Sequence, residues 1–148
     1  MIETITTIGI TASSVFLFAY WFRYTCLLIL SAKTTRDYAS DVARANQLSF
    51  IDVQVQLRER AAKELGDLQK ALDRDYALVT HLLKQGSVRE SVLEERMLAI
   101  NYRLMRAWYK VNRRFSPVVA RRTLCDMALV VAHFANAIGE RAACASAA

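Results

Sequence analysis

The chain has 148 residues, of which 54% are hydrophobic, and a net charge of +6 at pH 7. This length suffices for one membrane anchor and one compact domain but hardly for two further domains. Four glycines and one proline leave little turn chemistry for a β-sheet, and the three cysteines form neither a CxxC nor a CxxCH motif. The composition therefore predicts an all-α protein without a disulfide framework or covalently attached haem.

The first predicted element is an apolar segment, residues 5–32, which carries a single charge, Arg23. As a helix it would be about 42 Å long, whereas the hydrocarbon core of a bilayer is about 30 Å thick. A cleaved signal peptide is the alternative, but the first three residues carry no basic side chain and the apolar run is too long. We therefore predict a transmembrane anchor over residues 1–33.

The basic residues near this anchor predict its orientation. No Lys or Arg precedes the span, whereas Lys33, Arg36 and Arg44 follow it closely. Because cytoplasmic flanks carry the excess of basic residues, we expect the N-terminus outside and residues 33–148 in the cytoplasm of a bacterial inner membrane.

The depth of the span in the bilayer depends on Arg23. In one arrangement the hydrocarbon part ends at Phe22 and Arg23 snorkels into the headgroups. In the other, the whole run is immersed and Arg23 meets a polar group of another subunit. Both arrangements need a partner surface, and the small-xxx-small pair Gly9 and Ser13 would allow close helix approach. The predicted interfacial aromatic belt consists of Tyr20, Trp21 and Tyr24.

Residues 34–49 form the next predicted element, a juxtamembrane helical stalk or docking collar. Ala39, Ala43 and Asn46 would lie on one thin helical face, which would let another helix come close. A plain stalk that continues the membrane helix is the alternative.

Residues 50–141 are predicted to form a cytoplasmic helical bundle of three helices, followed by a flexible tail at 142–148. Three N-terminal signals mark the helix starts: Ser49 with Asp52, Ser87 with Glu90, and Ser116-Pro117. The first helix should run from position 50 to Gln85. Short connections between the helices favour an antiparallel helical hairpin or a three-helix bundle.

The second of these helices has an apolar row spaced by three and four residues, which we expect to pack in the core. This row consists of Leu93, Met97, Ile100, Leu104, Trp108, Val111 and Phe115.

The excess positive charge lies on the last two helices. We expect a basic face there that stays exposed while the apolar row packs; it comprises Arg103, Arg106, Lys110, Arg113, Arg114, Arg121 and Arg122. Anionic lipid headgroups or an acidic neighbouring subunit would suit this face. A solvated face without a ligand is the alternative, and nucleic acid is disfavoured because no known nucleic-acid-binding motif accompanies the basic residues.

Residues with catalytic potential are few and isolated. His81 and His133 have no metal ligand at helical spacing, and Asp126 is the one acid in an apolar stretch. No Gly-rich phosphate loop is present, so we expect neither an enzyme nor a cofactor or metal site.

Two function classes fit this sequence, and none of its motifs matches a known family residue by residue. The first is a non-enzymatic, single-pass accessory or scaffold subunit that assembles with other membrane proteins or with itself. The second is a membrane-tethered binding module whose basic face captures an acidic ligand, either anionic lipid or nucleic acid.

Overall fold

A computed structural model of the chain describes residues 1–32, 36–59, 64–85 and 92–147. These residues form six α-helices and no β-strand, which confirms the predicted all-α class. The chain divides into two compact units, Met1–Lys33 and Thr34–Ala148.

The first unit is a single helix, α1, which spans Ile2–Ser31. Its most apolar window has a mean hydropathy of 1.5, and no residue in that window is buried. A helix of this length extends about 45 Å, so α1 is long and apolar enough to cross a membrane. Thr6, Thr11 and Ser13 donate hydrogen bonds of 2.8–2.9 Å to carbonyls one turn earlier, which satisfies their hydroxyl groups within the helix.

The second unit contains five helices: α2 (Ala39–Asn46), α3 (Phe50–Arg58), α4 (Leu65–Gln85), α5 (Val92–Asn112) and α6 (Pro117–Ala147). Helix α6 lies at the centre and contacts the other four, while α3 also contacts α2 and α4. The second unit is therefore a helical bundle built around its last helix.

Helix α6 can be central because its apolar residues cover more than half of its circumference. Ala120, Leu124, Met127 and Val130 have no exposed surface. The helix begins at Pro117 as predicted, and the Ser116 hydroxyl accepts a hydrogen bond of 3.4 Å from the amide of Val119. It continues to Ala147, through the residues predicted as a tail.

The single helix predicted from position 50 to Gln85 is wrong, because the structure contains two helices there. Helix α3 ends at Arg58, α4 begins at Leu65, and the two contact each other. The break lets both segments bury apolar residues in the same bundle, since α3 also packs on α6. Helix α4 reaches Gln85, the last described residue before a gap, and the predicted start at Ser87 lies outside the described residues.

The predicted capping box at Ser49 is also wrong, although Ser49 does precede the first residue of α3. Its side chain makes no capping hydrogen bond. Instead, Asp75 of α4 accepts a hydrogen bond of 2.6 Å from the Ser49 backbone amide. The start of α3 is thus held by a side chain 26 residues away, which no local motif encodes.

Candidate docking face and basic groove

Helix α5 presents three faces, and its buried face differs from the predicted one. The residues that are buried against the bundle are Leu98, Asn101, Tyr102, Met105 and Tyr109. Leu98 is fully buried and Tyr102 and Tyr109 are 1% exposed, so this face forms part of the core.

The apolar row predicted to pack is instead largely exposed, and the prediction that it fills the core is wrong. Its exposed members, called the α5 stripe below, are Leu93, Ile100, Leu104, Trp108, Val111 and Phe115. Leu104 is 56% exposed, Trp108 57% and Phe115 82%. Trp108, which we expected in the core, thus lies on an uncovered apolar surface.

The sequence contained a signal for the correct face. Leu98, Tyr102, Met105 and Tyr109 form a second row at spacings of four, three and four residues. At about 100° per residue this row lies roughly a third of a turn from the α5 stripe. Two apolar rows on one helix indicate that one serves the core and the other is available for a partner.

The basic residues Arg103, Arg106 and Lys110 occupy the third face of α5, and Arg113 and Arg114 follow its last residue. Arg103, Arg106, Lys110, Arg113 and Arg114 are exposed. On α6, Arg122 is exposed and Arg121 is half-buried. Between Met97 and Cys125 the sequence holds seven basic residues and no acid, so one border of the α5 stripe is strongly positive.

Arg106 is held in place by a polar network centred on Asp73 of α4. Its Nε lies 3.0 Å from Asp73 Oδ2, and Gln69 donates to the same oxygen at 3.0 Å. The Tyr102 hydroxyl donates to Asp73 Oδ1 at 3.1 Å. The carboxylate of Asp73 therefore accepts two hydrogen bonds, from Gln69 and Tyr102, and forms an ion pair with Arg106 through Nε.

The tyrosines next to this network are packed closely. The rings of Tyr76 and Tyr102 stack with centroids 3.8 Å apart and an interplanar angle of 2°. Burial raises the pKa of Tyr102 well above its ordinary value, and the negative charge of Asp73 adds to this shift. Tyr102 therefore stays protonated and acts as a hydrogen-bond donor.

A groove of about 460 Å³ lies between α4 and α5 beside this network. Its charged and titratable lining comes from both helices and consists of Asp73, His81, Lys84, Arg103 and Arg106. With one acid against three basic side chains, the groove is positive. Arg103 and Arg106 were predicted from the sequence, whereas Lys84 was not, because only the position of α4 beside α5 brings it to the same groove.

The residues predicted for membrane packing lie on α1, where Gly9 and Ser13 are exposed. Gly9 and Ser13 line a shallow depression on α1, and no atom lies within 4 Å of where a Cβ at Gly9 would be. In the predicted aromatic belt, the Trp21 and Tyr24 rings meet edge to face at 6.1 Å, and Tyr20 stacks on Tyr24 at 6.4 Å. Arg23 is half-buried.

The predicted docking collar lies in α2, and its small residues are covered within the chain. Ala39 is 8% exposed and Ala43 3%, and α2 packs on α6. Asn46 is half-buried and donates to the Val42 carbonyl at 3.0 Å. The helix that comes close to this thin face is therefore α6 of the same chain.

Two residues of α6 that the sequence analysis missed fix this contact. Asn136 Oδ1 accepts a hydrogen bond of 2.7 Å from the Tyr38 amide, at the start of α2. Gly139 lies so close to Tyr38 that an added Cβ would approach Cγ of that ring to 2.9 Å. A glycine late in a helical pattern was the available signal, since such a glycine often marks a close packing site.

The potential metal ligands do not come together in the described part of the chain, where no group of three or more His, Cys, Asp or Glu side chains could hold an ion. His133 lies near Glu94, Glu95 and Glu140, but burial outweighs their charges and lowers its pKa. Burial likewise raises the pKa of the Cys125 thiol. His133 is therefore neutral at pH 7 and Cys125 is protonated.

Comparisons with protein-family models, with curated proteins and with solved structures find no match to this chain. Any functional conclusion therefore depends on the two surfaces of α5 and on the apolar helix α1.

Proposed function

We propose that this chain is a single-pass, membrane-anchored accessory subunit without enzymatic activity, which docks onto another membrane protein through the α5 stripe. The observation that carries the proposal is the exposure of this stripe. Leu104, Trp108 and Val111 follow one another at intervals of four and three residues, so they lie on one face of α5. Each of them is more than half exposed. Large contiguous apolar patches are rare on monomeric proteins and usually mark interaction sites.

The anchor supports the same proposal. Helix α1 carries only Glu3 and Arg23 as charged residues, and the hydroxyl groups of Thr6 and Thr11 are bonded within the helix. The basic residues that follow it favour an orientation with the N-terminus outside and the second unit in the cytoplasm of a bacterial inner membrane. Gly9 and Ser13 would then contact a helix of the partner within the bilayer.

The charge beside the α5 stripe indicates which partner fits. Arg103 and Arg114 border the stripe, and the acid-free stretch extends beyond it to Cys125. A second copy of this chain would bring the same basic residues close together, which would disfavour its binding. We infer that the occupant is a different protein with an apolar helix face bordered by acidic residues.

The test is extraction of the native protein in mild detergent, followed by size analysis and mass spectrometry. We expect one or a few companion membrane proteins at a fixed ratio. Leu104→Glu, on the α5 stripe, should release them, whereas Leu129→Glu should not. Leu129 is a matched control because it is a 46% exposed leucine on α6.

Two results would contradict the proposal. One is a lone monomer or a homo-oligomer from native membranes. The other is a companion that stays bound at the same ratio to the Leu104→Glu variant, with the variant's helical content unchanged.

A second candidate function is a membrane-tethered module that binds an acidic ligand. The observation that favours it is the positive groove between α4 and α5, in which Lys84, Arg103 and Arg106 meet. Substitutions of these groove residues should then abolish binding of the acidic ligand, whereas substitutions in the α5 stripe should not.

A further inference from the structure

We propose that the groove between α4 and α5 binds a small phosphate-bearing ligand, with Lys84, Arg103 and Arg106 contacting the phosphate oxygens. This inference deepens the second candidate function and is independent of docking through the α5 stripe. No residue of the groove belongs to the stripe, and of the groove's basic residues only Arg103 borders the stripe, so Lys84→Gln tests the groove separately.

The groove concentrates positive charge that is only partly neutralised. Arg106 is paired with Asp73, whereas Lys84 and Arg103 have no carboxylate within 4 Å among the described residues. Both of these residues are exposed. Two exposed cations therefore line the groove beside one guanidinium that is already paired with Asp73.

The Asp73 network gives the groove its geometric preference. The Arg106 nitrogen that pairs with Asp73 is Nε, and the side chain is 48% exposed. We therefore expect its terminal nitrogens to be available for a planar, two-pronged contact. Paired N–H donors of this kind match the oxygens of phosphate. Asp73 is thus a positioning residue, which orients Arg106 while Gln69 and Tyr102 stabilise its own charge.

The size of the groove argues for a small ligand. Its volume of about 460 Å³ lies at the lower end of the range for small-molecule sites. A nucleic-acid strand would need further basic residues to continue the groove, so that they could contact successive phosphates. Lys110, Arg113 and Arg114, however, do not line the groove. A phosphate monoester, either free in solution or as a lipid headgroup, fits both the charge and the space.

The test measures binding of inorganic pyrophosphate to the full chain in phosphatidylcholine nanodiscs by titration calorimetry. We expect saturable binding at one site. Arg103→Gln and Lys84→Gln should each weaken it about tenfold, the loss expected for one charged hydrogen bond. Arg113→Gln and Arg114→Gln remove the same charge just beyond the end of α5 and outside the groove, and should change the affinity less than about twofold.

The Asp73→Asn variant distinguishes a specific binding site from general attraction to positive charge. The two explanations predict opposite changes in pyrophosphate affinity. If the attraction were general, removing a negative charge would strengthen binding of an anion. If Asp73 positions Arg106, the asparagine variant binds pyrophosphate more weakly. Circular dichroism of each variant checks that the helices are intact.

A second arm distinguishes the source of the phosphate. In nanodiscs that contain phosphatidic acid, weakened pyrophosphate binding would show that a lipid headgroup occupies the groove, and unchanged binding would assign it to a soluble ligand. The proposal is overturned if pyrophosphate does not bind saturably in either disc. It is equally overturned if all four charge-removing variants weaken binding to the same extent, or if Asp73→Asn strengthens it.

Discussion

Asp75, in the middle of α4, accepts a hydrogen bond of 2.6 Å from the backbone amide of Ser49, which precedes the first residue of α3. Asp75 is only 1% exposed. Arg74 adds a second contact, a hydrogen bond of 3.3 Å from its guanidinium to the Ser49 hydroxyl. The start of one helix is thus fixed from the interior of the next, and this link ties the turn before α3 to the core.

Replacing Asp75 with Ala should therefore destabilise the fold. A lost helix cap costs roughly 0.5–2 kcal/mol, and an amide left without an acceptor in the interior adds to this, so we expect about 2 kcal/mol. Denaturant unfolding of the full chain in detergent, followed by circular dichroism, measures the loss. Asp52→Ala is the control, because Asp52 is exposed and the local capping box would have made it the important acid. A larger loss for Asp52→Ala than for Asp75→Ala would contradict the structure.

Asp75 should also make stability depend on pH. Burial raises the pKa of its carboxyl above the ordinary value of 3.8, although the amides of Ser49 and Phe50 oppose the rise. The folded state then binds this proton more tightly than the unfolded state does. Between the raised folded pKa and 3.8, this group therefore makes stability increase as the pH falls. Asp75→Asn should remove that contribution. If the free energy of unfolding depended on pH in the same way in both proteins, this prediction would be refuted.

Gly139 tests the packing of α2 on α6. Gly139→Ala should destabilise the protein by about 1–3 kcal/mol through overpacking against Tyr38, offset by a gain of up to about 1 kcal/mol in helix propensity. Gly66→Ala is the matched control, since no atom lies within 4 Å of where its Cβ would be. The control should be neutral or slightly stabilising, again by denaturant unfolding. If both variants were equally stable, Tyr38 would have to lie elsewhere.

The sequence predicted those parts of the fold that depend on local patterns. The apolar run of α1 and the Ser116-Pro117 start of α6 are each set by neighbouring residues. The break between α3 and α4 was missed because no proline marks it and because Gly66 lies within the first turn of α4. Its cause is the shared packing of both segments in the bundle.

The candidate site was only partly predictable for the same reason. The basic residues of α5 could be read from their spacing, but their relation to Lys84 and Asp73 depends on how α4 lies beside α5. The choice between two apolar rows on α5 likewise depends on which row α6 covers. Leu98 and Leu104 have the same side chain on the same helix, and only packing distinguishes them.

Leu98 and Leu104 supply the most direct check of which face of α5 is buried and which is exposed. Leu98 is fully buried and Leu104 is 56% exposed. Leu98→Ala should cost about 2–5 kcal/mol through a lost contact and a cavity, whereas Leu104→Ala should change the free energy of unfolding by less than about 0.5 kcal/mol. The measurement uses the purified chain without companions, because a bound partner would stabilise the stripe. A loss at Leu104 equal to that at Leu98 would place the α5 stripe in the core and remove the observation on which docking rests.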